Sequence, residues 1–272
     1  MTQTIDVQGV TVPRVGFGTW QITGEECYEA VRHALELGYR HIDTARAYDN
    51  EEEVGRAIAD AGVPREEVFL TTKIWTSEFG ADALPRAAAD SLRKLGTDHV
   101  DLLLLHWPNP DVPLEETLGA LAREREAGRA RLIGVSNFPP GLLERALRLG
   151  PVANDQVEFH PYLGQDRLLA LAETHELFVT AYSPLAQGDV ARDPVLREIG
   201  EEHGRTPGQV ALRWLLDHER VVVVPKSASP QRRAENFDAF GFELSDDQRA
   251  RIDALPKDRR QGDPSWAPDW NA

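Results

Sequence analysis

The chain has 272 residues, 41% of them apolar, and a formal net charge of −15; it is long and apolar enough to bury a large core, which excludes a disordered polymer. The acidic excess excludes nucleic acid and an anionic membrane surface as partners, because both demand a basic face. The only cysteine, Cys27, excludes an intrachain disulfide and a cysteine-based metal site.

No run approaches the eighteen or so apolar residues a membrane helix needs, and Met1 to Arg14 lack a basic stretch followed by an apolar one. Neither a membrane span nor a secretory signal is expected, and the chain reads as a cytoplasmic monomer. Lysine stands only at 73, 94, 226 and 257, with arginine supplying the other cations. A salt-loving host and ordinary solubility charge both fit that composition.

In chain order, Ile5-Asp6-Val7 and Val10-Thr11-Val12 flank the turn pair Gln8-Gly9, predicting a short hairpin that plugs a barrel bottom. Eight short apolar runs follow: Val15–Gly18, His41–Asp43, Val68–Lys73, Val100–His106, Leu132–Ser136, Asn154–Glu158, Phe178–Tyr182 and Val221–Pro225. Leu102 to Leu105 and Val221 to Val224 show no polar alternation, as expected of parallel strands covered on both faces. Helical patterns fill the gaps at Glu25–Leu37, Glu51–Ala61, Ala83–Leu95, Leu114–Ala127, Gly141–Leu149, Asp166–His175, Pro207–Asp217 and Pro230–Phe237. Gly38, Gly62, Gly96, Gly128 and Gly150 sit where helices stop, and Pro207 and Pro230 suit first turns. Cys27 lies within the first helical pattern and reads as a buried, inert thiol.

This alternation, with no break in composition, predicts a single domain over 1–272 folded as a (β/α)8 barrel. An open doubly wound sheet would need a G-x-G-x-x-G turn, and Gly16-Phe17-Gly18-Thr19-Trp20-Gln21 lacks the third glycine. The tail from Lys257 to Ala272, rich in Pro, Asp and Trp, reads as an irregular arm.

Barrel enzymes carry their chemistry at the C-terminal ends of the strands. There the sequence places Asp43, then Tyr48 in the following loop, Lys73 and His106. Taken singly these suit a helix cap, a rim aromatic, a surface cation and a satisfied core histidine; chance does not easily place all of them on consecutive strand ends. A lysine ammonium about 4 Å from a phenol, at an effective dielectric near 20, stabilises the phenolate by roughly 4 kcal/mol. Tyr48 is therefore expected to titrate near neutrality as a general acid, with Asp43 holding Lys73 and His106 donating to a carbonyl oxygen. His160 beside Glu158 suggests a metal ligand, but no H-E-x-x-H or H-x-H spacing accompanies it, so no metal is expected. Trp20, Trp75 and Trp107 are expected to wall the mouth.

Gly38-Tyr39-Arg40-His41-Ile42-Asp43-Thr44-Ala45, with Tyr48 and Asn50-Glu51, resembles the first signature of the aldo-keto reductases. Leu103-Leu104-Leu105-His106-Trp107-Pro108, Gly134-Val135-Ser136-Asn137-Phe138 and Val224-Pro225-Lys226-Ser227 are similar to further segments of that family. The resemblance covers nearly the whole chain and is greatest to the prokaryotic branch containing diketogluconate and methylglyoxal reductases. It implies NADPH-dependent reduction of small aldehydes, ketoaldehydes or keto-sugars by an Asp43, Tyr48, Lys73 and His106 tetrad. Ser136, Asn137 and Gln156 would bind the nicotinamide carboxamide, with Tyr182 stacked on its ring. Ser183, Leu185, Gln187 and Gly188 would follow the pyrophosphate, and Lys226, Ser227, Arg232, Glu235 and Asn236 the adenosine end. Two positions depart from the common pattern: Asp155, where the family often has Asn, and Asp49, where it often has Gly. Asp49 is expected to put a negative charge on the site rim and so to bias it against anionic substrates. Apart from the family, Lys226 and Arg232 bracket Ser227 after the last strand, a grouping suited to a 2′-phosphate and so to NADPH over NADH. The alternatives are a non-catalytic NADP(H)-binding sensor on the same fold and an unrelated barrel enzyme such as a phosphate-sugar isomerase.

Overall fold

The computed structural model describes residues 3–271. Met1, Thr2 and Ala272, the ends of the N-terminal stretch and of the tail, lie outside the described residues. β1 (Thr4–Val7) and β2 (Val10–Pro13) form the expected antiparallel hairpin. β3 (Phe17–Gly18), β4 (His41–Asp43), β5 (Phe69–Ile74), β6 (Val100–Leu105), β7 (Ala130–Ser136), β8 (Val152–Glu158), β9 (Phe178–Tyr182) and β10 (Val221–Val223) form an eight-stranded sheet in sequential order. Every pairing within it is parallel. The segment entering β3 closes it: Val15 bridges Val223, Gly16 N–H donates to the Val223 carbonyl at 2.8 Å and Gly18 N–H to the Pro225 carbonyl at 3.1 Å. A Cβ on Gly18 would lie 2.7 Å from the Val224 carbonyl oxygen, so this seam admits no larger residue. The molecule is a (β/α)8 barrel with an N-terminal hairpin.

Helices α1 (Gly24–Leu37), α2 (Glu51–Asp60), α3 (Ala83–Leu95), α4 (Leu114–Glu126), α5 (Pro140–Leu149) and α6 (Asp166–His175) follow successive strands, within two residues of the expected bounds. Between β9 and β10 the chain makes two helices, α7 (Pro194–His203) and α8 (Pro207–Asp217); α9 (Pro230–Phe237) and α10 (Asp246–Asp253) come last. Gly38 and Gly96 end their helices at left-handed φ, whereas Gly150 ends α5 extended, at φ −171°.

Two apolar clusters follow from the strand period of two. The larger lies between sheet and helices and contains Cys27, fully buried, whose thiol burial pushes up to about 12. The smaller fills the barrel bottom, where Val7, Val10 and Val12 of the hairpin meet Phe69, Leu102, Leu104 and Phe178. The hairpin is thus the expected plug. Along β5 the inward side chains are Phe69 in the plug layer, then Thr71, then Lys73, so the same alternation that fills the bottom raises an ammonium toward the mouth.

Candidate active site

Lys73 is buried, and its ammonium donates to Asp43 Oδ1 at 2.6 Å, to the Thr44 carbonyl at 2.9 Å and to the Tyr48 hydroxyl at 3.5 Å. All three of its donors are thereby engaged. Tyr48 ends a single 3₁₀ turn (Arg46–Tyr48) that Arg46 ties down through Glu78, at 2.9 Å to both carboxylate oxygens, and Asp90 at 3.0 Å. His106 stands with its ring 5.6 Å from that of Tyr48 and 5.1 Å from that of Trp75, both edge-on. Its Nδ1 is buried without a hydrogen-bond partner.

The electrostatics correct one expectation. Burial, then the Asp43 carboxylate, holds the Tyr48 phenol well above its ordinary value rather than near neutrality. The Lys73 ammonium, paired with Asp43 at 2.6 Å, does not outweigh these effects. Burial also lowers Lys73 itself, and burial with the Lys73 charge holds His106 well below the usual histidine value, so the imidazole is neutral. Since Lys73 donates to the phenol oxygen, the phenol's own proton is left to point elsewhere.

A cavity of about 1340 Å³ opens above these groups, and Asp43, Tyr48 and His106 line it while Lys73 lies beneath. Ser136, Asn137 and Gln156 line the same cavity at the ends of β7 and β8. They are joined in one chain: Tyr182 hydroxyl to Asn137 Oδ1 (2.8 Å), Asn137 Nδ2 to Ser136 Oγ (3.1 Å), Ser136 Oγ to the Gln156 carbonyl (2.7 Å) and Gln156 Nε2 to Asp43 Oδ2 (2.7 Å). Asn137 holds its place with a left-handed φ of 63°. After β9, Ser183, Leu185, Gln187 and Gly188 continue the lining, with φ of 47° at Ser183, 51° at Gln187 and 100° at Gly188. Lys226, Ser227, Arg232, Glu235 and Asn236 complete it around the start of α9. Neither Lys226 nor Arg232 forms an ion pair among the described residues. Trp20, Trp75 and Trp107 are lining residues too.

The cavity has features suited to a dinucleotide. It has two unpaired cations at one end, a stretch of left-handed backbone in the middle and amide side chains beside the tetrad. Among the described residues no group of His, Cys, Asp and Glu is arranged to hold a metal ion. His160 Nε2 instead lies 2.9 Å from Glu158 Oε1, both fully buried.

Sequence reasoning missed the tail. Residues 261 to 264 line the cavity, and Glu158 fixes them there, accepting from Gly262 N–H at 2.6 Å and Gln261 N–H at 2.8 Å. Trp266 meets Trp107 at 5.0 Å and Trp75 at 5.9 Å, and Trp270 meets Trp107 at 6.0 Å. The tail's tryptophans were the available signal. Asp49 is exposed and does not line the cavity; its φ of 52° is the left-handed conformation that suits the glycine common at this position.

Residues 14–257 match the aldo/keto reductase family model. An aldo-keto reductase of Mycolicibacterium smegmatis is 46% identical over 258 residues, 93% of each chain. The methylglyoxal reductase DkgA of Escherichia coli K12 is 43% identical over 262 residues, again 93% of each. A crystal structure assigned provisionally as a 2,5-diketo-D-gluconic acid reductase B superposes with a TM-score of 0.96 at 46% identity, covering 100% of this chain and 98% of that one. With this sequence match, this barrel and this arrangement of strand-end residues, the chain belongs to the aldo-keto reductase family.

Proposed function

We propose that the protein is an NADPH-dependent reductase of small aldehydes, ketoaldehydes or keto-sugars, working as one barrel domain in the cytoplasm, with Tyr48 as proton donor. The observation that carries this reading is the meeting of Lys73, Asp43, Tyr48 and His106 at the floor of a cavity of about 1340 Å³. A bound nicotinamide would supply the hydride. Ser136, Asn137 and Gln156 would orient its carboxamide, Tyr182 would stack on the ring, and Ser183, Leu185, Gln187 and Gly188 would follow the pyrophosphate. Lys226 and Arg232 with Ser227 would take the 2′-phosphate, the reason for preferring NADPH, while Glu235 and Asn236 would face the adenosine.

A carbonyl oxygen set between Tyr48 and His106 would accept a hydrogen bond from each. Negative charge developing on that oxygen strengthens both bonds, so the pair favours the transition state over the bound ketone or aldehyde. The phenol proton then passes to the alkoxide. Lys73, donating to the phenol oxygen, stabilises the phenolate left behind. A raised ground-state value suits this role, since the donor is fully protonated at pH 7.

A steady-state screen of aldehydes, α-ketoaldehydes and keto-sugars with NADPH and NADH in parallel tests the reading. Turnover with NADPH at least about tenfold more efficient than with NADH is expected, since two charge-assisted contacts contribute roughly 1.5–3 kcal/mol each. Absence of turnover with both cofactors would overturn it.

A further inference from the structure

His106 stands between two aromatic rings, Tyr48 at 5.6 Å and Trp75 at 5.1 Å, and each ring belongs to a single 3₁₀ turn or its first flank. Tyr48 ends the turn Arg46–Tyr48. Trp75 precedes the turn Thr76–Glu78, whose last amide donates to the Trp75 carbonyl at 2.9 Å. One turn of 3₁₀ helix has little stability of its own. The first of these is followed by Asp49 at a left-handed φ of 52°, which a residue other than glycine adopts at some cost. Nor does the site itself fix the phenol: Lys73 Nζ reaches its oxygen only at 3.5 Å, where such bonds are ordinarily about 2.7–3.2 Å. What joins the two turns is Arg46. Its Nε and Nη2 donate to the two oxygens of Glu78 at 2.9 Å each, a bidentate pair. Its Nη1 reaches α3, donating to the Ala87 carbonyl and Asp90 Oδ2 at 3.0 Å and to Ser91 Oγ at 3.3 Å. The Arg46 side chain is only 15% exposed, and neither it nor Glu78 lines the cavity. Asp90 also pairs with Arg93 at 2.7 Å, whereas Glu78 forms no other ion pair among the described residues. The ends of the Tyr48 loop are tied separately, by Asn50, which accepts from Thr44 Oγ1 at 2.6 Å and donates to the Thr19 and Ile22 carbonyls.

We propose that Arg46 is a positioning residue for the proton transfer: by gripping Glu78 it holds the Tyr48 turn and the Trp75 turn in fixed relation, and so sets the Tyr48 hydroxyl beside His106 where the carbonyl oxygen lies. The proposal rests on the reductase reading, which makes Tyr48 the donor. Arg46 lies outside the cavity, so its effect reaches the chemistry only through the turn it anchors. A reacting group displaced by about 1 Å loses roughly a hundredfold in rate. The segments proposed to hold the nucleotide run from the end of β7 to α9 and carry no part of this clamp. Cutting it therefore slows the chemical step and leaves cofactor affinity alone.

The test is kcat with 4-nitrobenzaldehyde, or the fastest aldehyde of the screen, expressed per NADPH-binding site counted by fluorescence titration. Counting sites removes any loss of folded enzyme from the comparison. Arg46→Ala should lower kcat by about ten- to a hundredfold with Kd for NADPH nearly unchanged. Arg46→Lys should recover part of the loss, since an ammonium keeps the charge but cannot take both Glu78 oxygens in a fork. Glu78→Gln should lower kcat by roughly threefold, because it leaves a neutral partner for the guanidinium. Glu78 acts only through Arg46, so the double variant Arg46→Ala/Glu78→Ala should stay within about twofold of Arg46→Ala. A kcat for Arg46→Ala close to that of the wild type, or single losses that multiply in the double variant, would overturn the proposal. Should Arg46→Ala fail to bind NADPH, Glu78→Gln decides alone, and an unchanged kcat there overturns it. If the wild type reduces no carbonyl, the reductase reading fails and amide exchange still decides the clamp. Cutting Glu78 should then accelerate exchange at Tyr48 as well as at Glu78; acceleration confined to the turn that carries the substitution would refute it.

Discussion

Lys73 gathers the hydrogen bonds of the site, and its pairing with Asp43 sets what Tyr48 can do. An ammonium 3.5 Å away draws a phenol toward ionisation, but here burial and the Asp43 carboxylate outweigh it and leave the proton in place. Beside Gln156 on β8 but outside that network, Asp155 shows burial acting on a carboxyl with no such partner. It is fully buried, and neither oxygen makes a hydrogen bond of ordinary geometry; the Phe138 backbone N–H only offsets part of the effect of burial. Burial holds Asp155 well above 3.8, so the folded protein keeps a proton that the unfolded chain releases. Stability attributable to this group therefore falls as pH rises from the unfolded value toward the folded one. Asp155→Asn is expected to stabilise the protein by about 1–3 kcal/mol at pH 8 and by less at pH 5. Thermal midpoints of both proteins at the two pH values check this, and a gain independent of pH would contradict it. The tetrad was legible in the sequence because strand ends can be located and each of its members ends a strand or follows one. The Gln156–Asp43 bond was not legible, since it spans 113 positions, and neither was the acidity of Tyr48, which depends on burial that the residue names do not carry.

At the scale of elements, the tail is fixed by Glu158 at the end of β8. Burial alone would raise this carboxyl, but hydrogen bonds from His160 and the Gly262 and Gln261 amides hold it below 4.5. Its contribution is therefore complete above the unfolded value and is lost only as pH falls through the lower folded one, so the tail stays fastened at neutral pH. Glu158→Gln should weaken this attachment by about 1.5–3 kcal/mol, the range for a hydrogen bond to a charged group. Amide exchange at Gln261 and Gly262 is expected to accelerate while exchange in β5 and β6 does not; unchanged exchange at 261 and 262 would refute the clamp. Apart from α7, which buries Leu196 and Ile199 on one face and was missed, most elements whose apolar residues recur at strand or helix period were legible within a residue or two. Those without the period were not: α10, with Ile252 and Gln248 as its buried residues, shows almost no apolar face. Its Ser245–Gln248 capping box, like the Asp193 cap of α7, was the signal that remained. The tail has no period either: its ties are the Gln261 and Gly262 amides on Glu158 and isolated tryptophan contacts.

Across the whole molecule, the barrel, its plug and its mouth follow from one rule: side chains alternate along parallel strands. The rule puts apolar groups at the bottom of the barrel and Lys73 near the top. In a chain of net charge −15 the cavity's two lining cations, Lys226 and Arg232, come from one segment after β10 and are accompanied there by Glu235. The pairing of Lys226 and Arg232 was legible in the sequence; that both line the cavity came only with the fold. The central claim is that this arrangement delivers a proton from Tyr48 to a reduced carbonyl, and Tyr48→Phe isolates it, removing one oxygen while leaving the ring beside His106. The decisive measurement is kcat for a good aldehyde substrate alongside Kd for NADPH in wild type and variant. A fall in kcat of about two to four orders of magnitude with Kd nearly unchanged is expected, whereas a variant keeping more than about half of the wild-type kcat would contradict the assignment.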